Sequence, residues 1–157
     1  MAPPGPVLRF APMTNDQLLI GFYGFLSVTV VTLLVAIGLA HKHRARAHIV
    51  AVGVFLVLLV TSLGFAEVLG RRYEFDHISY TIHLPLALFT SAFMLVPLIT
   101  GIQHWRGKVT RKAHKVLAWV WVGFVVASLV TGKWMLDNGT LKPEYATPTV
   151  DERPGPD

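Results

Sequence analysis

The feature that most constrains this fold is an almost uninterrupted apolar run from Val116 to Gly132, directly after a basic segment. A helix made from such a run has no polar face for water, so its favourable solvent is lipid. At 1.5 Å per residue, about 20 residues cross a hydrocarbon core of about 30 Å. The sequence therefore predicts an all-α integral membrane four-helix bundle. Its helices are predicted at about residues 18–40, 47–67, 80–102 and 113–135.

The composition favours the same class of protein. Charged residues make up 15% of the 157 residues, against about 25% in a typical soluble domain. The net charge of +5 could indicate nucleic acid, but the basic residues lie in short loops between apolar runs, so we expect no nucleic-acid partner. The absence of cysteine excludes disulfides, thiolate metal sites and covalent c-type haem. Any metal or haem would depend mainly on imidazole, carboxylate or thioether groups.

One domain, residues 14–136, is predicted between two disordered tails. Residues 1–13 are rich in proline and have no helical periodicity, which is typical of a disordered segment. Thr14 and Gln17 have the spacing of a capping box, which predicts the start of the first helix. Residues 137–157 become polar and rich in proline again, so they are predicted to form the second disordered tail.

The third predicted helix contains two prolines, Pro85 and Pro97. Proline removes a backbone donor, yet membrane helices tolerate it when neighbouring groups bond the freed carbonyl. We therefore expect kinks in this helix rather than breaks.

The distribution of lysine and arginine predicts the orientation. Residues 41–48 hold three of them and residues 103–115 hold five, which is eight of the 14 in the chain, and none of the nine acidic residues lies in either loop. The positive-inside rule places both loops in the cytoplasm and both termini on the outer, periplasmic side. We expect a multi-pass membrane protein, with the lipid bilayer as its first partner.

A histidine stands at the basic end of two apolar helices. The segment RARAH ends at His48 and RKAH ends at His114, and a Ser-Leu pair follows each histidine after fourteen residues. If the helix faces that carry them meet in the interior, two imidazoles could bind haem iron axially or share a metal such as copper. His43 is a possible substitute for His48. The alternative is that both are interfacial histidines facing lipid headgroups. His41, His43 and His104 are predicted to be solvated loop residues.

A second cluster is predicted at the outer side. His83 lies near the outer end of the third helix and Glu67 at the outer end of the second, hence at comparable depth. An ionisable group within a membrane span is a functional candidate. With His77, these residues could form an outward-facing metal or proton site. The alternative is that Glu67 pairs with Arg71 or Arg72 at the headgroup boundary.

Four short motifs in the second half of the chain are shared with a known family. They are Ile82-His83-Leu84, Arg106-Gly107, His114-Lys-Val-Leu-Ala-Trp119 and Ser128-Leu-Val-Thr-Gly132. With them, about residues 41–136 resemble a bacterial family of four-helix membrane proteins that includes the CtaM-like (YozB-like) cytochrome c oxidase assembly factors. The family's histidine before the second helix maps onto His43 or His48. At the outer end of that helix the family has another histidine, where this chain has Glu67.

The resemblance implies a bacterial inner (cytoplasmic) membrane, whose outer side is periplasmic, and a role near the maturation of haem–copper oxidases. The leading hypothesis is a membrane accessory or assembly factor for a terminal oxidase or respiratory complex, which holds haem or copper transiently through histidines. A second is a small b-type cytochrome with haem b between the second and fourth helices, for membrane electron transfer. A third is a structural subunit of a larger membrane complex. The sequence has no nucleophile–base pair or phosphate loop, so we expect no hydrolase or transferase activity.

Overall fold

A computed structural model describes residues 13–146 of the chain. The tails predicted at residues 1–12 and 147–157 lie outside the described residues. The described elements are α1 (Asn15–His41), α2 (Ala45–Arg72), β1 (Tyr73–Glu74), α3 (His77–Phe93), α4 (Leu95–Trp105), α5 (Arg111–Asp137), β2 (Thr140–Leu141) and a 3₁₀ helix, Pro143–Tyr145. The predicted all-α four-helix class is confirmed, with α3 and α4 as the two halves of one helix.

Four stretches are long and apolar enough to span a membrane. They are Asn15–His41, Ala45–Arg72, His77–Trp105 and Arg111–Asp137. Large apolar side chains cover their outer surfaces: Ile20 is 74% exposed, Val57 69% and Val130 64%. Exposure to water would cost about 25 cal/mol for each Å² of this surface, whereas lipid tails impose no such cost. The chain is therefore a multi-pass membrane protein whose solvent is a lipid bilayer.

The chain divides into two compact units. One consists of the residues up to Arg72 together with those from Pro143 onwards, and the other runs from Tyr73 to Lys142. We call the α1–α2 pair hairpin one. We call the second unit, in which α3 and α4 pack against α5 and β1 pairs with β2, hairpin two.

The first helix of hairpin one begins as the sequence predicts. Thr14 is its N-cap, and its side chain accepts a hydrogen bond from the backbone N–H of Gln17. The Gln17 side chain accepts in return from the backbone N–H of Thr14 at 3.0 Å. Two of the donors that a helix start leaves unpaired are thus satisfied reciprocally.

The interior of hairpin one is narrow and mixed in polarity. Leu18, Phe55 and Leu69 are buried. At mid-length the hydroxyl oxygens of Thr29 and Ser62 lie 3.2 Å apart, both in buried side chains. Each hydroxyl also lies within hydrogen-bonding distance of a carbonyl one turn earlier in its own helix. One hydroxyl can therefore donate to its carbonyl and accept from the other, so both polar groups have protein partners.

Hairpin two has a one-residue interruption where proline predicts one. Pro97 has no N–H to donate to the carbonyl four residues before it, at Phe93, and α3 ends at that residue. Met94 separates α3 from α4 but keeps right-handed helical angles, φ −54° and ψ −30°. Pro85 lies inside α3 without interrupting it. Neither proline therefore ends the membrane-length stretch His77–Trp105, and the kinks themselves stay a prediction.

The end of hairpin two opposite its turn is closed by a small sheet. Tyr73 of β1 pairs antiparallel with Leu141 of β2. The ring of Phe75 packs so closely on Gly139 that a Cβ there would lie 2.9 Å from the ring. The prediction of a disordered tail from residue 137 is therefore wrong for residues 137–146. A two-residue strand has no periodic pattern, so the sequence offered no signal for it.

A polar cluster in the first unit fixes the segment that follows β2. The Arg72 guanidinium donates to the carbonyl of Met13 at 3.0 Å and to the Asn15 side-chain oxygen at 2.8 Å. The amide of Asn15 donates to the carbonyl of Tyr145 at 2.8 Å. The guanidinium also lies 5.3 Å from the centroid of the Tyr145 ring, within the range of a cation–π contact.

Candidate functional site

The turn of hairpin one places His43 in an unusual backbone conformation. The N–H of Arg44 donates to the carbonyl of Leu39 at 3.0 Å, and that of His43 to Ala40 at 3.3 Å. These bonds form a Schellman motif, in which the left-handed residue is usually glycine. His43 fills that position with φ 56°. It lies exposed in the turn, whereas His48 contacts the preceding helix.

The turn of hairpin two has the same motif with glycine in place of histidine. The N–H of Lys108 donates to the carbonyl of Gln103 at 2.8 Å, and that of Gly107 to His104 at 2.9 Å. Gly107 has φ 73°. In each hairpin the basic segment therefore follows the first helix through the same type of turn. A histidine then lies near the start of the second helix of that hairpin.

His48 is held by a backbone carbonyl of α1. It lies half-buried at the start of α2, with its Nδ1 2.8 Å from the carbonyl oxygen of Ala36. A carbonyl can only accept, so Nδ1 carries the hydrogen and the neutral ring keeps its lone pair on Nε2. Imidazoles that bind metals are commonly oriented in this way, by a hydrogen bond from the nitrogen that does not coordinate.

His114 is held by a threonine and a glycine of α4. Its Nδ1 lies 3.2 Å from Oγ1 of Thr100, whose hydroxyl donates to the carbonyl of Val96 at 2.8 Å. With its single hydroxyl hydrogen on that carbonyl, Thr100 accepts from the imidazole in the His114–Thr100 bond. A Cβ on Gly101 would lie 3.2 Å from Cε1 of the imidazole. The missing side chain lets the ring sit directly on the helix.

His104 belongs to the same group, although the sequence predicted a solvated loop residue. It is half-buried in the last turn of α4, and its Nδ1 donates to the carbonyl of Val109 at 3.0 Å. Its ring is nearly parallel to that of His114, with 9° between the planes and 6.2 Å between the centroids. The available signal was its position four residues after Thr100, which places it on the same face of α4.

His83 is held in the same manner at the other end of hairpin two. Its Nδ1 lies 3.1 Å from Oγ1 of Thr131, whose hydroxyl donates to the carbonyl of Ala127 at 3.0 Å. A Cβ on Gly132 would lie 2.9 Å from Cε1 of the ring. His83 is therefore oriented by Nδ1, as His114 is, and it is half-buried.

We call this arrangement a Thr-Gly cradle: a threonine that accepts from Nδ1 and a glycine on which the imidazole rests. Thr100-Gly101 forms the cradle of His114, and Thr131-Gly132 forms that of His83. His83 and Gly101 are 18 residues apart in the chain, as are His114 and Gly132. At a helical rise of about 1.5 Å per residue, this spacing corresponds to about 27 Å between the two cradles, which is close to the thickness of a hydrocarbon core.

The other members of the predicted outer cluster have local partners. Glu67 forms an exposed ion pair with Arg71 at 3.0 Å, which is the alternative pairing considered for it. His77 is exposed, and its Nδ1 lies 3.4 Å from the hydroxyl of Thr81. His77 and His83 are six residues apart on one helix, which turns them to different faces. Within either hairpin, the described histidine and acidic side chains form no group of three suited to a metal ion.

Comparison with known proteins gave no match. No protein-family model matches the sequence, and neither a curated protein nor a solved structure does. The relation to the CtaM-like family therefore stays a prediction, and the functional argument depends on the geometry of the histidines.

Proposed function

We propose that the protein is an integral membrane accessory or assembly factor for a haem–copper terminal oxidase or a related respiratory complex. It holds haem or copper transiently through His48 and His114. The observation that supports this proposal is the orientation of both imidazoles: each Nδ1 is bonded to the preceding helix of its own hairpin. The carbonyl partner of His48 also assigns the Nδ1 hydrogen of that ring, which places its lone pair on Nε2 when the ring is neutral.

Imidazole is a ligand for both groups. Haem iron takes a histidine as axial ligand, and imidazole also binds copper well. The chain has no cysteine, so imidazoles are its best donors for either metal. The carbonyl of Ala36 accepts from the Nδ1 hydrogen of His48 and thereby fixes the ring orientation, the usual effect of such a partner.

The location follows from the charges. Both turns carry the basic residues, so the positive-inside rule places them in the cytoplasm of a bacterium, with both termini outside. His48 and His114 then lie at the cytoplasmic boundary of their helices. This is a suitable place to receive haem or copper from the cytoplasm and pass it to a membrane-embedded partner.

Deletion of the gene combined with spectroscopy tests the proposal. We expect the deletion strain to lose terminal-oxidase activity, and the purified protein to contain less than one haem or copper per chain. His48→Ala and His114→Ala should each remove the added haem or copper that these two histidines hold. His41→Ala is the matched control, because that imidazole is exposed and bonds only to its own helix at Ile37.

Two results would contradict the proposal. Full oxidase activity in the deletion strain would remove the assembly role. One haem per chain with sharp reduced b-type bands, lost in both histidine variants, would instead identify a b-type cytochrome.

A further inference from the structure

The Thr-Gly cradle occurs at both ends of hairpin two, whereas the proposed function uses only the cradle of His114. We propose that His83 is the axial ligand of a second iron porphyrin, bound at the sheet end of hairpin two. This inference rests on the haem chemistry of the proposed function and extends it to a site about 27 Å away along the helices.

The first argument is the fixed orientation of His83. Thr131 accepts from Nδ1, and Gly132 lets the ring lie against α5. Within residues 13–146, the structure shows no hydrogen bond to Nε2 of His83. A half-buried imidazole with one nitrogen anchored and the other carrying a lone pair has the arrangement of an oriented metal ligand.

The second argument separates a porphyrin from a bare metal ion. A zinc or copper ion normally takes three or four protein donors. Hairpin two, as far as it is described, gathers no three histidine or acidic side chains, and His77 lies on a different face from His83. A porphyrin supplies four equatorial nitrogens itself, so one oriented imidazole is sufficient. The donor set at His83 therefore matches haem iron.

The third argument is the aromatic surface at the same end of hairpin two. The rings of Tyr73, Phe75 and Tyr80 form a row with centroid spacings of 6.2 and 6.3 Å and interplanar angles of 14° and 12°. Tyr80 lies one helical turn before His83 and is 45% exposed. A flat, largely apolar ring system such as a porphyrin packs well on aromatic rings.

The test is a titration of the purified full-length chain with haemin in lipid nanodiscs, followed by Soret absorbance and by haem per chain. We expect the wild type to bind two equivalents. His83→Ala should bind one, and the double variant His48→Ala/His114→Ala should also bind one. His77→Ala is the control on the same helix and should still bind two. The triple variant that combines His48→Ala, His83→Ala and His114→Ala measures haemin that merely partitions into lipid.

Two further variants keep His83 and change only its cradle. Thr131→Val removes the acceptor of Nδ1, and Gly132→Ala places a Cβ where the ring lies. Each should weaken haemin binding at the His83 site at least tenfold in the double-variant background. Thr100→Val is the equivalent change in the other cradle, and it should leave haemin binding at the His83 site unchanged. Circular dichroism verifies that each variant is folded.

The outcomes separate this inference from the proposed function. If the double variant takes up no more haemin than the triple variant, the inference is overturned. If the wild type still binds one equivalent in that case, the proposed function is unaffected. If the wild type takes up no more haemin than the triple variant, haem binding fails at both sites, and copper is then the remaining group for His48 and His114. Two equivalents with loss of one in His83→Ala support the second site.

Discussion

His43 and Gly107 occupy the same position in the two hairpin turns, as the left-handed residue that follows a helix, with φ 56° and 73°. The same pair of backbone hydrogen bonds closes both turns. Glycine adopts this conformation freely, whereas an L residue with a side chain is strained there by about 1–2 kcal/mol. The histidine therefore makes the turn of hairpin one the less stable of the two.

We expect His43→Gly to raise the free energy of unfolding by about 1 kcal/mol, because it removes this strain. Gly107→Ala should lower it by a similar amount. Thermal unfolding followed by circular dichroism in detergent measures both changes. The control is His41→Gly, at the last residue of α1, which should destabilise as helical glycine does. A loss of stability in His43→Gly would show that the side chain itself holds the turn.

Removing the threonine hydroxyl of a cradle should remove the energetic coupling between that threonine and its histidine. Thr131→Val leaves the Nδ1 hydrogen of His83 without its acceptor, at a cost of about 1–3 kcal/mol in unfolding free energy. His83→Ala in the Thr131→Val background should then cost less than in the wild type, with a coupling of about 0.5–3 kcal/mol in a double-mutant cycle. Purely additive effects would indicate that the hydrogen bond contributes nothing to stability.

The glycines of the cradles should be intolerant of even one methyl group. Gly132→Ala places a Cβ 2.9 Å from His83 and should cost about 1–3 kcal/mol through overpacking. Gly101→Ala meets His114 at 3.2 Å and should cost less. Gly123→Ala is the matched control, since no atom lies within 4 Å of that position. It should stabilise α5 by about 0.5–1 kcal/mol, as alanine does in helices.

Loss of the Arg72 cluster should release the segment after β2. Arg72→Ala removes two hydrogen bonds and the contact with the Tyr145 ring, so we expect faster proteolysis near residues 142–146. The neighbouring Arg71→Ala is the control, because Arg71 pairs only with the exposed Glu67. Equal cleavage rates in the two variants would contradict a holding role for Arg72.

The orientation can be measured directly because the chain contains no cysteine. Lys108→Cys places a thiol in the exposed turn of hairpin two, and Thr140→Cys places one in the exposed strand at its other end. In intact spheroplasts a membrane-impermeant maleimide should label Thr140→Cys, and Lys108→Cys only after lysis. The reverse pattern would contradict the positive-inside prediction.

Helical periodicity carries part of the information on which faces turn inward. Phe55 and Ser62 follow His48 at seven-residue spacing, and both are buried in hairpin one. Trp121 follows His114 at the same spacing; it is the buried residue of α5, and its indole N–H donates to the carbonyl of Thr90 at 3.0 Å. Such shared faces need only the 3.6-residue repeat, which does not depend on the partner helix.

The cradles could not be predicted in the same way. A Thr-Gly dipeptide becomes a histidine site only if the register between two helices brings them opposite each other, and a shift of one residue rotates the contact by about 100°. That register depends on the interruption near Pro97 and on the length of the turn after His104. His104 was assigned to solvent for this reason, since its partner lies across the turn.

The cradles also link the orientation of each histidine to the distance between two helices. The threonine bonds Nδ1 and the adjacent glycine contacts Cε1 of the same ring, and both residues lie on the helix opposite the histidine. One dipeptide therefore sets the rotation of the imidazole and the separation of the two helices together. A change in helix spacing would be felt at the ring, and a change at the ring would be felt in the spacing.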